Sequence, residues 1–200
     1  MEEDIYNWKL LSLTEVQKLL SNLSVPWWVA GGIAIDLFVG YETRKHGDFD
    51  IGIFRKDQLI LQTYLKKWDL HKTNQPGLQP WPQGEYLAIG VNQVWCRRTP
   101  TSPWELEVMF MEAADHQWHY RRAPSVCGPI ADLWLETQAG IRYLAPEIQL
   151  LYKARQMPQE KDDQDFDTVM PFLSDGKRHW LKSALETQFP EGHVWIEKLE

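Results

Sequence analysis

Asp48 and Asp50 stand one residue apart in the run Asp48-Phe49-Asp50-Ile51-Gly52-Ile53, where Phe49, Ile51 and Ile53 alternate with polar or small residues. That alternation describes a half-buried strand, so both carboxylates leave one face, with backbones ~6.5–7 Å apart. Two convergent carboxylates form a hard-oxygen site for magnesium, which completes its shell with waters and substrate phosphates. Magnesium held in pairs stabilises attack on an α-phosphate and the departure of pyrophosphate. Such chemistry needs a third acid on a neighbouring strand, to ligate metal or to take a proton from the attacking hydroxyl. Trp104, Leu106, Val108 and Phe110 share one apolar face of a second strand, which leaves Glu105 and Glu107 on the other. Glu107 lies deeper in the apolar run and is the first choice; Glu105 is the alternative.

The elements upstream suit a bound triphosphate. Trp27-Trp28-Val29-Ala30 follows Pro26 and reads as a buried strand. Gly31 and Gly32 then leave no side chain between backbone and ligand. Ile33 to Val39 reads as a helix stopped by Gly40, with free amides over the glycines where phosphate is favoured. The cationic loop Thr43-Arg44-Lys45-His46 meets the remaining anionic oxygens, Arg44 with a two-pronged fork. His46 either binds phosphate or braces the loop, and Asp36, one turn into the helix, is placed to hold the glycine loop by hydrogen bonding.

These residues together resemble the polymerase-β-type nucleotidyltransferases, and within them the aminoglycoside 2″-adenylyltransferase and lincosamide nucleotidyltransferase groups. The pattern GG-x-A-x-D-x-x-x-G-x-x-T-R-x-H-x-D-x-D carries the likeness. A second stretch, Tyr143 to Ala154 followed by Lys161-Asp162-Asp163-Gln164-Asp165-Phe166, resembles the C-terminal helical element of bacterial nucleotidyltransferase-like relatives. The resemblance implies an α/β (α+β) fold: a mixed sheet with flanking helices over 1–144, and a small C-terminal helical lobe over 145–200. It further implies transfer of a nucleoside monophosphate, adenylyl from ATP or another nucleoside triphosphate, to a hydroxyl of a small acceptor such as an aminoglycoside or lincosamide. In those groups the third acid is usually aspartate, whereas this chain offers glutamate.

Composition bounds the partners. The chain has 200 residues, a formal net charge of −7 and two cysteines. An acidic surface disfavours nucleic acid, whose binding leans on basic residues, and suits a neutral or cationic small molecule. No apolar run approaches the roughly 18–20 residues that span a bilayer. Met1-Glu2-Glu3-Asp4 lacks the basic-then-apolar order of a signal peptide. Cys96 and Cys127 fit no zinc or redox spacing, so a cytoplasmic enzyme with two packing thiols is expected. Eleven tryptophans are many for this length; Trp81, Trp95, Trp104 and Trp118, in polar or proline-rich surroundings, either receive a sugar ring or cation or pack loops on the sheet.

Along the chain, Ser12 and Glu15 form a capping box opening a helix to about Leu23. Asp57 caps another to about Trp68. Residues 76–103, with many prolines, read as a long irregular excursion that contributes to the acceptor pocket. Residues 133–144 read as a hairpin turning at Ala139-Gly140, and helices follow near 146–156, 162–173 and 175–188. Lys153 lies on an amphipathic helix and is expected to aim at the triphosphate; Lys161, Asp162 and Asp165 read first as helix-end electrostatics, with continuation of the wall begun by Lys153 as the alternative. His116 and His119 lack further ligands for a metal. The competing function class is a nucleotide-binding regulator or toxin-like protein acting on RNA or protein.

Overall fold

The structure, a computed structural model, describes residues 5–73 and 77–199; the acidic Met1–Asp4 and Pro76, the first residue of the expected excursion, lie outside them. In chain order the elements are α1 (Leu13–Leu20), β1 (Trp27–Val29), α2 (Gly31–Val39), β2 (Asp50–Phe54), α3 (Gln58–Tyr64), β3 (Asp69–Thr73), β4 (Leu78–Pro80), β5 (Gln93–Arg97) and β6 (Leu106–Ala114). They continue with β7 (Gln117–His119), β8 (Cys127–Pro129), β9 (Trp134–Glu136), β10 (Arg142–Leu144), α4 (Pro146–Lys153), α5 (Glu160–Val169), α6 (Asp175–Gln188) and α7 (Val194–Lys198). The chain packs into two units, one made of residues 1–29 and 46–112, the other of residues 30–45 and 113–200.

The first unit is built on a mixed sheet in the order β4-β3-β5-β6-β2-β1. β2 and β6 run parallel, with Asp50 beside Glu107 and Ile53 beside Phe110; the other described pairs are antiparallel. Val29, Ile51, Ile53, Val94, Leu106 and Val108 are fully buried, so one face of every central strand is core. The other face carries Asp50 and Glu107 at one end and is apolar beyond them, with Trp28 and Phe54 buried. On it, Trp28 of β1 faces Gly52 of β2, and its indole lies so close that a Cβ at residue 52 would stand 2.1 Å from Nε1. Only glycine lets that ring lie flat on the strand.

The expected excursion is corrected by the structure. Gln93–Arg97 is a central strand, hydrogen-bonded between β3 and β6, and Leu78–Pro80 pairs with β3. Val94 and Cys96 point into the core while Gln93, Trp95 and Arg97 take the other face, an alternation hidden among neighbouring prolines and glycines. The intervening loop is fixed by α3 and the turn before it. Gln58 holds the Leu87 amide at 2.7 Å, and Gln62 holds that of Gly84 at 2.7 Å. Arg55, 3% exposed, donates to the Val91 carbonyl at 2.7 Å and pairs with Glu112. β3, for which the sequence pattern predicts no element, buries Leu70 and His71. The α1 capping box forms, with Glu15 Oε2 accepting from the Ser12 amide at 2.7 Å. Asp57 stands at the N-cap of α3 but makes no capping bond, and the helix ends at Tyr64 rather than Trp68.

In the second unit α2 packs on α4, α5 and β10, and α4 on α5 and α6. β9 and β10 form the expected hairpin, with Glu136 opposite Arg142 and Gly140 at φ +74° in its turn. α6 covers 175–188 as read; α4 stops at Lys153, and α5 begins at Glu160. Among the described residues no helix is long and apolar enough to cross a membrane.

Candidate active site

Three acids of the first unit converge. Asp48 lies in the extended lead into β2, Asp50 opens the strand, and Glu107 sits beside Asp50 on β6. Each offers a carboxylate oxygen, and these oxygens lie within 4.8 Å of one another. The packing beneath explains the convergence: Phe49 is 1% exposed and anchors the residue between the aspartates, while its carbonyl accepts the Glu107 amide at 2.8 Å. Glu107 is buried and the two aspartates are half-buried. Glu105, the alternative third acid, is turned to Arg98 at 3.1 Å and is not in this cluster. Three clustered hard-oxygen donors fit a divalent cation such as magnesium, and Asp48, Asp50 and Glu107 are the residues that would hold it. Glu107 lies on a strand paired directly with β2, and its carboxylate reaches those of the two aspartates.

The second unit holds the glycine corner and the cations. Gly31 adopts φ +66°, a conformation costly for residues with a Cβ. Its amide donates to Gln149 Oε1 at 2.8 Å, a buried bond from α4. Gly32 is buried in the first turn of α2. Asp36 braces the cationic loop: its Oδ1 accepts from the amide and hydroxyl of Thr43, at 2.9 and 2.7 Å. Arg44 forks onto Asp165, Nε to Oδ1 at 3.1 Å and Nη2 to Oδ2 at 3.0 Å. Lys153 reaches the same Oδ2 at 2.6 Å and stands 3.5 Å from Asp162. Burial alone would raise the Asp165 carboxyl, but the Arg44 hydrogen bond and the Lys153 charge outweigh it and hold the group below its ordinary range. His46, of the first unit, is half-buried two residues before Asp48.

The four tryptophans separate. Trp81, Trp104 and Trp118 are packing residues, at most 5% exposed, and Trp104 already carries the guanidinium of Arg97 at 4.1 Å. Trp95 is half-buried, directly opposite Glu107 on β5, and is braced edge-on by Trp8 and Trp104.

Residues 12–76 match the family described as aminoglycoside-2″-adenylyltransferase. That span covers β1, the glycine corner, the cationic loop, β2 and both aspartates. No curated protein matches the chain in sequence. Among solved structures, the lincosamide antibiotic adenylyltransferase LnuA with lincomycin bound is 16% identical, with a TM-score of 0.55, over 80% of this chain and 96% of that one. ANT(2″)-Ia in complex with adenylyl-2″-tobramycin is 13% identical, with a TM-score of 0.56, over 87% and 95%. The solution structure of the antibiotic-resistance factor ANT(2″)-Ia is 17% identical, with a TM-score of 0.59, over 88% and 90%. The chain has the nucleotidyltransferase fold. The matched segment contains Asp48 and Asp50, which cluster with Glu107; Glu107 lies outside the matched residues.

Two residues of the nucleotidyltransferase fold escaped the sequence reading. Gln149 gives no local signal, because its partner is 118 residues away. Asp165, for which the sequence favours helix-end charge over a place in the wall with Lys153, is 0% exposed and carries two cations; the signal for the second reading is a carboxylate on the apolar side of an amphipathic helix.

Proposed function

We propose that the chain is a magnesium-dependent nucleotidyltransferase that moves a nucleoside monophosphate, adenylyl from ATP, onto a hydroxyl of a small acceptor molecule. The observation that carries this reading is the cluster of Asp48, Asp50 and Glu107, with carboxylate oxygens within 4.8 Å of one another on a nucleotidyltransferase fold. The acceptor class, an aminoglycoside or lincosamide, rests on the family match and on what the similar structures are described as binding. The acidic chain, at −7, suits a polycationic acceptor. The same reading places the enzyme in the cytoplasm, consistent with two free cysteines.

In this reaction the acceptor hydroxyl oxygen bonds to the α-phosphorus, the bond from that phosphorus to the bridging oxygen breaks, and pyrophosphate leaves. Glu107, beside Asp50 on β6, takes the hydroxyl proton. Gly31 and Gly32 let phosphate approach the first turn of α2, and Arg44, Lys153 and His46 balance its charge. Divalent cations held by Asp48, Asp50 and Glu107 would supply Lewis-acid polarisation of the phosphoryl oxygens and offset charge that builds up during transfer.

The test is incubation with α-labelled ATP, magnesium and a panel of aminoglycosides, lincosamides and RNA, reading both pyrophosphate and labelled acceptor. Label on one small molecule, lost in Glu107→Gln, supports the proposal. ATP binding without pyrophosphate release for any acceptor assigns the chain to the regulator class instead.

A further inference from the structure

We infer that Asp165 is a positioning residue for the triphosphate, holding Arg44 and Lys153 together as one preassembled cationic clamp. The inference rests on the nucleotidyltransferase reading and adds a residue to it.

Five charges alternate through the second unit: Arg155, Asp162, Lys153, Asp165 and Arg44. Asp162 stands 3.7 Å from Arg155 and 3.5 Å from Lys153. Asp165 stands 2.6 Å from Lys153 and 3.0 Å from Arg44. Along this run three cations meet two carboxylates. A purely structural buried pair would balance one charge against one. Here a single carboxylate, 0% exposed, receives a guanidinium fork and an ammonium. Both cationic nitrogens share Oδ2, which fixes them within reach of adjacent oxygens on one polyanion. Without that carboxylate two like charges would be left side by side in a largely buried place, and they would separate.

The same helix fixes the glycine corner. Gln149 and Lys153 lie one turn apart on α4, hence on one face. Gln149 takes the Gly31 amide, and Lys153 takes Asp165. α4 therefore ties the backbone that would receive phosphate to the side chains that would neutralise it. Asp36, through Thr43, holds the remaining side of the Arg44 loop. Preassembly of this kind raises affinity by removing the cost of ordering long cationic side chains on binding.

The experiment measures binding of ATP with magnesium, without acceptor, to wild type, D165N, R44K and the double variant. Each is checked for folding by circular dichroism, and the Arg44 Nε–H resonance is followed by NMR in nucleotide-free protein. D165N is expected to bind ATP about tenfold more weakly and to lose the slowly exchanging Arg44 resonance. R44K keeps the charge but not the fork, and should weaken binding by a similar factor; the double variant should lose little more than either single one. With a productive acceptor, KM for ATP should rise while kcat changes far less. Should D165N fail to fold, R44K and the wild-type resonance carry the test. Tighter binding by D165N would overturn the inference, since the carboxylate would then compete with phosphate; so would additive losses, or no protected Arg44 resonance in wild type. Wild type that binds ATP but transfers to nothing refutes the transferase reading and leaves this comparison intact. Wild type that binds no ATP refutes both.

Discussion

Replacing Gly52 by alanine tests the packing that supports the acids. The added methyl would lie 2.1 Å from Nε1, 2.3 Å from Cε2 and 2.7 Å from Cζ2 of Trp28, all well inside contact distance. Relief requires more than an ångström of movement by the indole or by β2. The ring has little room: Trp28 is 1% exposed, and its centroid is 5.0 Å from that of Phe54. Overpacking a tight core costs about 1–3 kcal/mol, and a clash this deep against a rigid bicyclic ring belongs at or above the upper end. For a chain of this length ~3 kcal/mol lowers the thermal midpoint by roughly 6–12 °C. Gly52 is two residues from Asp50 on the same face of β2, so turnover should fall as well. The assay is thermal unfolding by circular dichroism for Gly52→Ala, Trp28→Leu and the double variant. The smaller side chain should absorb the methyl, leaving the double variant more stable than the sum of the single losses predicts. A Gly52→Ala midpoint within about 2 °C of wild type, or strict additivity, would show that the indole does not confine this position.

Three further outcomes follow from other parts of the molecule. Gly31→Ala should cost about 1–2 kcal/mol through its φ of +66° and weaken ATP binding, as seen in denaturant midpoints and nucleotide titration. His193 Nδ1 accepts the Trp195 amide at 3.2 Å, while Nε2 donates to the Arg155 carbonyl at 2.8 Å. Burial keeps the ring neutral and pushes its proton affinity below the ordinary 6.5, against the opposing effects of that carbonyl and Asp163. The unfolded chain therefore binds a proton that the fold refuses. This contribution is complete above pH 6.5 and is lost as pH falls through the folded value; thermal midpoints from pH 8 to 5.5 should drop more for wild type than for His193→Asn, another N-capping residue. Finally, Cys96 is fully buried with its thiol pushed up by burial, whereas Cys127 is half-buried. A thiol reagent should modify Cys127 first and reach Cys96 only on unfolding, as mass spectrometry would show.

What was legible in the sequence was what periodicity and glycine encode. The alternation around Phe49 and Ile51 located β2 and faced its aspartates correctly, and the same logic favoured Glu107 over Glu105. The helix at 175–188 was readable because its apolar positions recur at helical spacing between clear ends. What failed were elements specified by distant partners. β3 reads Asp-Leu-His-Lys-Thr, with little apolar alternation, and is a strand because β4 and β5 flank it. β5 was masked by its proline-rich neighbours. The candidate residues were legible where their arrangement is local: the Asp-x-Asp pair of the first unit and, separately, the left-handed Gly31 of the second. They were illegible where they depend on bonds such as Gln149 to Gly31 and Arg44 to Asp165, each spanning more than a hundred residues.

The interleaving of the two units has a consequence for synthesis. A ribosome that has released the first 112 residues has made all of one unit but only residues 30–45 of the other. Those residues include α2, whose Ala34 and Ile35 are buried in the finished protein, and its helical neighbours α4 and α5 lie more than a hundred residues downstream. The nascent chain therefore carries this helix without α4 and α5 while more than a hundred further residues are added, a natural point for a chaperone to engage and for misassembly to begin.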